Sequence, residues 1–127
     1  MSVAFDARRG LIVVPTRISG PSGDVVALLA LDTGATTTLL NWGIAVMLGY
    51  DPAATPNRLQ VTTGSGVEFV PEITLHSLAA LGRVRQSFPA LCHTLPPSAT
   101  VDGVLGLDFL RDERLVVDFR RGEVVLE

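Results

Sequence analysis

The sequence predicts a protein made mainly of β-strands, with one or two short helices. Segments rich in β-branched and other apolar residues recur along the chain, and clusters of Gly and Pro separate them. Helix-like patterns are short and follow Asn41 and Gly106. Because 127 residues fall in the common size range of one domain, we expect a single domain over residues 1–127.

The first half of the chain predicts a hairpin followed by a helix. Residues 10–20 alternate loosely between apolar and polar positions, and the turn-forming stretch 20–24 separates them from the apolar run 25–31. Because that run is continuously apolar, we expect a strand buried on both faces. Asn41 is predicted to cap a short helix over residues 42–48, which Gly49 and then Pro52 bring to an end.

The second half predicts further strands and a helical turn. Residues 58–63 and 67–75 flank the turn Gly64-Ser65-Gly66, which is typical of a hairpin. Pro71 favours an edge or a projecting ribbon for the outgoing arm. Residues 83–95 predict a strand interrupted at Pro89, residues 104–106 a short strand that leads into a helical turn at 107–110, and residues 115–127 a terminal hairpin.

Composition excludes several classes of protein. Hydrophobic residues make up 47% and charged residues 18% of the chain, which argues against a disordered protein. The apolar runs are shorter than the roughly 18 to 20 residues of a membrane span, and no signal peptide or anchor is visible, so we expect a cytoplasmic protein without a membrane partner. The net charge is −3 with scattered basic residues, which argues against nucleic-acid binding. Cys92 is the only cysteine, so no internal disulfide and no zinc-type cluster is expected.

An ionisable carboxyl directly follows the first buried strand, in the tripeptide Asp32-Thr33-Gly34. A carboxylate beside a core costs several kcal/mol unless hydrogen bonds or a shared proton compensate it, so its position indicates a functional group. Thr33 can supply a hydroxyl, and Gly34 permits a close backbone approach. The same residue types are also common in a plain strand-end turn, and the tripeptide alone leaves that alternative open.

Three separated motifs together resemble the retropepsin-like aspartic proteases, the one-lobe relatives of retroviral protease and of the pepsin lobes. They are residues 29–40 around Asp32, the Gly64-Ser65-Gly66 turn, and residues 101–110. In that family an apolar strand ends in Asp-Thr/Ser-Gly-Ala, a flap hairpin follows, and an apolar-apolar-Gly segment packs beside the aspartate loop before a short helix. The likeness spans roughly residues 10 to 126 and implies a closed, β-barrel-like protease lobe.

The resemblance also implies roles for individual residues. Asp32 would be the catalytic carboxyl, Thr33 would brace the two active-site loops, and the backbone of Gly34 would approach the substrate. The expected substrate-binding residues are Ala35 and Thr36 at the cleft border, Thr63, Gly64, Ser65 and Gly66 at the flap tip, and Val104 and Leu105 beside the catalytic loop. Retroviral enzymes carry an arginine where this chain has Leu107, which makes the chain more similar to cellular and bacterial members.

The chemistry of such enzymes sets the expected stoichiometry. Peptide hydrolysis needs two carboxyls about 3 Å apart, one ionised to activate a water and one protonated to polarise the scissile carbonyl. One chain supplies Asp32 alone and is too short for a second lobe, so we expect a homodimeric aspartic endopeptidase that acts on peptides or proteins. No metal or organic cofactor is required. The alternative is a non-enzymatic module that keeps the fold in order to dimerise or hold a peptide.

Other polar and aromatic residues have less specific interpretations. Asp102 precedes Gly103 and is a rival carboxyl for Asp32 within the same chain, although Asp-Gly is ordinary turn chemistry. Asp108 is expected at a helix start and Asp118 on a solvent-facing strand position. The two histidines are expected in loops or at the surface, and the tryptophan, the tyrosine and the five phenylalanines are expected in the core.

Overall fold

The structure, a computed structural model, describes the backbone of residues 1–127 and every side chain except that of Thr63. It confirms a mainly β fold with two short helices. The strands are β1 (Ser2–Ala4), β2 (Val13–Gly20), β3 (Gly23–Leu31), β4 (Leu39–Asn41), β5 (Arg58–Thr63), β6 (Gly66–Ala80), β7 (Arg83–His93), β8 (Gly103–Leu105), β9 (Leu115–Asp118) and β10 (Glu123–Leu126). The helices are α1 (Trp42–Met47) and α2 (Leu107–Leu110).

Six strands close into a barrel. Their order is β2-β3-β8-β4-β7-β6, and pairing between β2 and β6 joins the two ends. Strand β5 pairs with residues 66–71 of β6, whereas residues 72–80 of β6 pair with β7, so the β5–β6 hairpin extends beyond the barrel. Pro71 pairs with Arg58 at the point where this hairpin leaves the barrel. The projecting ribbon predicted from Pro71 is therefore present.

Two parallel pairings bring distant parts of the chain together. Strand β8 lies parallel to β3 and antiparallel to β4, and β4 lies parallel to β7. Gly103 in β8 faces the backbone of β4 closely, because an added Cβ would meet the Leu39 carbonyl oxygen well inside contact distance. Any side chain at this position would therefore force the strands apart. As a result, β8 places residues 105–108 beside the end of β3.

The core is formed by the inward faces of the barrel strands together with apolar residues from α1, α2 and β10. Its largest fully buried side chains include Phe109, Ile18, Leu29, Leu40 and Leu78. The expectation that residues 25–31 are buried on both faces is wrong, since Val26 and Leu28 are 54% and 44% exposed. A strand in a closed barrel has one face inside and one outside, and the outer face of β3 remains accessible despite its apolar sequence.

Strand β7 continues through Pro89, so the predicted interruption is wrong. Pro89 is paired with Thr74 of β6 in a register that extends on both sides. Strand β4 pairs only with residues 91–93 of β7, which leaves Pro89 in a stretch with a neighbouring strand on one side. A proline without a backbone N–H is tolerated at such an edge position. The local backbone is irregular at Ser87, whose φ is +50°.

The short helix α1 begins as its sequence predicts. The Asn41 side chain caps the helix and accepts a hydrogen bond from Gly43 N at 3.4 Å. Gly49 follows the helix with a φ of +93°, a conformation that favours glycine. Among helices of the described residues, none is long and apolar enough to cross a membrane.

The aromatic residues are divided between the core and the surface. Phe88 and Phe109 are buried, as expected. Phe69 on the projecting hairpin and Phe119 after β9 are 66% and 62% exposed, so the expectation that all phenylalanines lie in the core is wrong. Phe119 packs edge-on against Phe5 with ring centroids 5.5 Å apart, which partly shields both rings.

Both histidines reach the surface from strands. His76 lies in β6 and is exposed, and His93 ends β7 and is partly exposed. His93 Nε2 lies 3.4 Å from a Glu68 oxygen on the projecting hairpin. Their surface position agrees with the sequence interpretation.

Candidate active site

Asp32 is held at the end of β3 by backbone hydrogen bonds. Its N–H donates to the Leu105 carbonyl at 3.0 Å, which ties it to β8. Its own carbonyl accepts from Ala35 N at 3.1 Å, and its Oδ1 accepts from Gly34 N at 2.8 Å. The Asp32 side chain is exposed. Residues 32–35 therefore form a tight turn that presents the carboxyl to solvent and fixes one of its oxygens.

The segment after β8 lies directly against this turn. Leu107 N donates to the Ala35 carbonyl at 2.8 Å. A Cβ added to Gly106 would lie 2.8 Å from the Ala35 oxygen and 2.9 Å from the Thr37 carbonyl carbon. Only glycine permits this approach of two backbones. Residues 32–38 are hereafter called the Asp32 loop, and residues 106–109 the supporting segment.

A partly buried hydrogen-bond network fastens the Asp32 loop to the supporting segment. The Asp108 carboxylate accepts from Thr38 N at 3.0 Å and from Thr38 Oγ1 at 2.7 Å. The Thr38 hydroxyl, which is fully buried, also accepts from Gly106 N at 3.1 Å. Asp108 accepts from Phe109 N as well, at 2.9 Å, so its predicted place at a helix start is correct but incomplete. The role of Thr38 was not predicted from the sequence, because its partner Asp108 lies 70 residues away.

A cleft of about 480 Å³ opens between the Asp32 loop and the projecting hairpin. Its floor and walls combine one carboxyl with hydroxyl, amide and aliphatic groups. The residues that line it are Asp32, Gly34, Ala35, Thr36, Thr37, Leu39, Leu59, Gln60, Val61, Thr62, Leu91 and Val104. Asp32 is the only charged side chain among the described residues in this lining.

A family of known proteins matches most of the chain. The sequence profile described as gag-polyprotein putative aspartyl protease matches residues 15–112. The chain belongs to this aspartyl protease family. The matched range contains the Asp32 loop, the projecting hairpin and the supporting segment.

The fold is also found in a solved structure. The crystal structure of a retropepsin-like aspartic protease from Rickettsia conorii is similar with a TM-score of 0.75. The similarity covers 99% of this chain and 88% of that chain, at 20% sequence identity. No curated protein matches the sequence. The structural likeness confirms the retropepsin-like fold that the three sequence motifs predicted.

With the family established, the predicted site residues can be placed. The cleft brings together Asp32, Gly34, Ala35, Thr36 and Val104. Thr33 is exposed but lies outside the lining. These residues come from β8 and from the loop between β3 and β4, which are distant in sequence and adjacent in the barrel.

The remaining predicted residues lie elsewhere. Leu105 is fully buried in the core and reaches the site only through its carbonyl, so its side chain does not line the cleft of this chain. Gly64, Ser65 and Gly66 form the exposed end of the projecting hairpin, beyond the cleft lining. The Thr63 side chain lies outside the described residues.

Part of the cleft lining was not expected from the sequence. Leu59, Gln60, Val61 and Thr62 of β5 line it, although only the hairpin tip was expected to do so. The apolar and polar alternation of β5 was the available signal, because it places aliphatic side chains on one face of the hairpin. Thr37, Leu39 and Leu91 were missed as well.

Asp102, the alternative partner considered for Asp32 within the same chain, has a structural role. Asp102 Oδ2 accepts from Leu28 N at 2.8 Å, and Asp102 N donates to the Leu28 carbonyl at 2.8 Å. Asp102 therefore closes the edge between β3 and the start of β8. Asp118 accepts from Arg120 N and Arg121 N, both at 2.9 Å, and stabilises the turn between β9 and β10.

The groups with displaced pKa values lie outside the cleft. Burial raises the pKa of the Cys92 thiol to about 12 and also raises the pKa of the Tyr50 hydroxyl. The hydrogen bond from Arg83 lowers the pKa of the Glu113 carboxyl; burial opposes this shift, and Arg85 contributes to it. Among the described residues, no group of His, Cys, Asp and Glu is arranged to hold a metal ion.

Proposed function

We propose that this protein is an aspartic endopeptidase whose active unit is a homodimer, with one Asp32 from each chain. The observation that carries the proposal is the exposed Asp32 carboxyl in a cleft whose other described lining residues are uncharged, within a chain of the aspartyl protease family. A single carboxyl cannot be both the ionised base and the protonated acid that this hydrolysis needs. A two-fold axis near Asp32 supplies the second group from the same gene product.

In the proposed mechanism the two carboxyls share one proton. The ionised group removes a proton from a water, which attacks the scissile carbonyl, while the protonated group donates to the carbonyl oxygen. The bond from Gly34 N to Asp32 Oδ1 orients one carboxyl oxygen and leaves Oδ2 for the partner or the water. Because two like charges this close cannot both ionise at low cost, activity should follow a bell-shaped pH profile.

The substrate in this proposal is an extended peptide. It would lie between the Asp32 loop and the projecting hairpin, where Leu59, Val61 and Val104 offer aliphatic contacts. An extended segment beside a β-hairpin can also form backbone hydrogen bonds of the kind found in a sheet.

A substitution at Asp32 tests the enzyme assignment. We expect Asp32→Asn to keep the fold and the dimer, since an amide oxygen can still accept from Gly34 N, and to lose cleavage of a peptide library between about pH 4 and 7. A statine-type inhibitor should block the unmodified protein. The matched control is Asp24→Asn at the other end of β3, where an exposed carboxylate lies 3.8 Å from Arg17 and should matter little. Undiminished cleavage by Asp32→Asn would refute the assignment.

Sedimentation over a range of protein concentrations tests the stoichiometry. Specific activity should rise with the dimer fraction. An active species that stays monomeric at every concentration would exclude a shared two-chain site.

A second candidate is a binding module without catalysis. The observation that favours it is the bond from Gly34 N to Asp32 Oδ1, because it gives the carboxylate a turn-forming role that asparagine could also fill. This candidate predicts a dimer that cleaves no peptide in the library and that binds peptides equally well with Asp32 or with Asn at that position.

A further inference from the structure

The Asp32 loop has few side-chain anchors of its own. Asp32, Thr33, Gly34 and Thr36 are exposed, and Thr38 is the fully buried side chain of the loop. The loop is therefore held mainly by its hydrogen bonds to β8, to the supporting segment and, at the Thr38 carbonyl, to Leu91 N of β7 at 2.9 Å. Such a loop can change position without unfolding the barrel, because little apolar area is buried by its exposed part.

Asp108 is the centre of the bonds that end this loop. Its Oδ1 accepts from Thr38 N at 3.0 Å, from Thr38 Oγ1 at 2.7 Å and from Phe109 N at 2.9 Å. Its Oδ2 also lies 3.0 Å from Thr38 N. Hydrogen bonds to an ionised acceptor are stronger than those between neutral groups. One side chain thus ties the loop end to the start of α2.

The Thr38 hydroxyl extends the connection to Gly106. It donates to Asp108 and accepts from Gly106 N at 3.1 Å, so both of its hydrogen-bonding roles are used inside the protein. Gly106 and Leu107 in turn contact the turn at Ala35. A displacement of Asp108 would therefore move the turn that carries Asp32, because Thr38 and Gly106 connect the two.

We propose that Asp108 is a positioning residue for Asp32. Through Thr38 and Gly106, Asp108 fixes the position and orientation of the Asp32 loop relative to the supporting segment. This inference rests on the proposed function for its kinetic consequence, while its structural consequence stands alone. Asp108 does not line the cleft, so it acts on the reaction only through the loop. A displacement of about 1 Å at a reacting group can cost about 100-fold in rate.

The number of hydrogen bonds that each substitution removes predicts how much kcat should fall. Asp108→Ala removes every bond to Thr38 and Phe109, and we expect kcat to fall about 100-fold with KM changed less than about threefold. Asp108→Asn keeps one acceptor oxygen but turns an N–H group towards a donor, and kcat should fall about tenfold. Thr38→Val should resemble Asp108→Ala, and Thr38→Ser, which keeps the hydroxyl, should recover most of the lost rate.

The double variant distinguishes a shared network from two separate effects. If Asp108 and Thr38 act through one connection, Thr38→Val with Asp108→Ala should lose little more rate than either change alone. The control is Asp118→Asn, which removes a carboxylate that also accepts two backbone N–H groups but lies in the β9–β10 turn. It should leave kcat unchanged.

Amide hydrogen exchange supplies a readout that needs no activity. Asp108→Ala should speed exchange at Thr38 and Gly106 selectively, with residues of β6, which make no hydrogen bond to Thr38 or Gly106, unaffected. If the unmodified protein cleaves no peptide, the proposed function fails, and the exchange experiment still decides whether Asp108 holds the loop. The inference is overturned if exchange at Thr38 and Gly106 is unaltered in Asp108→Ala, or if kcat per folded molecule of an active enzyme stays the same.

Discussion

Replacing Gly106 with alanine should push the Asp32 loop out of position. Gly106 has φ −100° and ψ −173°, an extended conformation that alanine adopts without strain. The effect of the substitution is therefore steric. The added Cβ would lie 2.8 Å from the Ala35 oxygen and 2.9 Å from the Thr37 carbonyl carbon, whereas ordinary contacts begin at 3.4 Å.

The required displacement sets the size of the effect. The loop backbone must withdraw by roughly half an ångström, because a close-packed interior has no space to absorb the extra methyl group. Overpacking of this kind costs about 1 to 3 kcal/mol. For a chain of this size that corresponds to a fall in Tm of roughly 4 to 12 °C. If the proposed function holds, kcat should also fall about tenfold or more.

The assay compares two glycine-to-alanine changes by urea unfolding and by peptide cleavage. Gly43→Ala is the matched control, since no atom lies within 4 Å of its added Cβ and the residue is in helix α1. Alanine should stabilise the control by up to about 1 kcal/mol. A Gly106→Ala protein with the stability of the unmodified chain would show that the loop is not held against β8 as described.

Three further changes test the packing and the charges. Phe109→Ala should destabilise by about 3 to 5 kcal/mol because Phe109 is fully buried, whereas Phe119→Ala should cost about 1 kcal/mol or less; equal urea midpoints would contradict the assigned core. Glu113→Gln tests an acid group whose folded pKa is lowered by Arg83 from an ordinary value of 4.5. The ionised carboxylate stabilises the fold above pH 4.5. The difference in free energy of unfolding between the unmodified protein and Glu113→Gln should therefore disappear as the pH falls below 4.5. The Cys92 thiol, buried and with its pKa raised to about 12, should resist a thiol-specific reagent at about pH 8 until urea unfolds the chain; rapid labelling of the folded protein would be inconsistent with this.

Local sequence signals predicted the elements whose causes are local. The β2–β3 hairpin follows from its turn residues, and Gly23, the first residue of β3, has a φ of +133°. Helix α1 follows from the Asn41 cap. The position of Asp32 at a strand end follows from the apolar run before it. Each of these depends on neighbours within a few residues, which is the range that sequence patterns describe well.

The features that the sequence did not predict are those that depend on the tertiary structure of the whole fold. Val26 and Leu28 have the same apolar character as buried residues, but they lie on the outer face of the barrel. Strand β1, at Ser2–Ala4, is too short to show a period and exists because it pairs with β10. The Asp108–Thr38 connection joins residues 70 positions apart, and no local pattern identifies such a pair.

The order in which the barrel strands occur along the chain also affects synthesis. Strand β8 inserts between β3 and β4, although more than half of the sequence separates it from β3. During translation, the segment that carries Asp32 therefore leaves the ribosome long before its neighbour at Leu105, and it stays unsupported in the interval. Long-range pairing of this kind slows folding, so a nascent chain acquires an ordered Asp32 only once residues 103–109 have emerged.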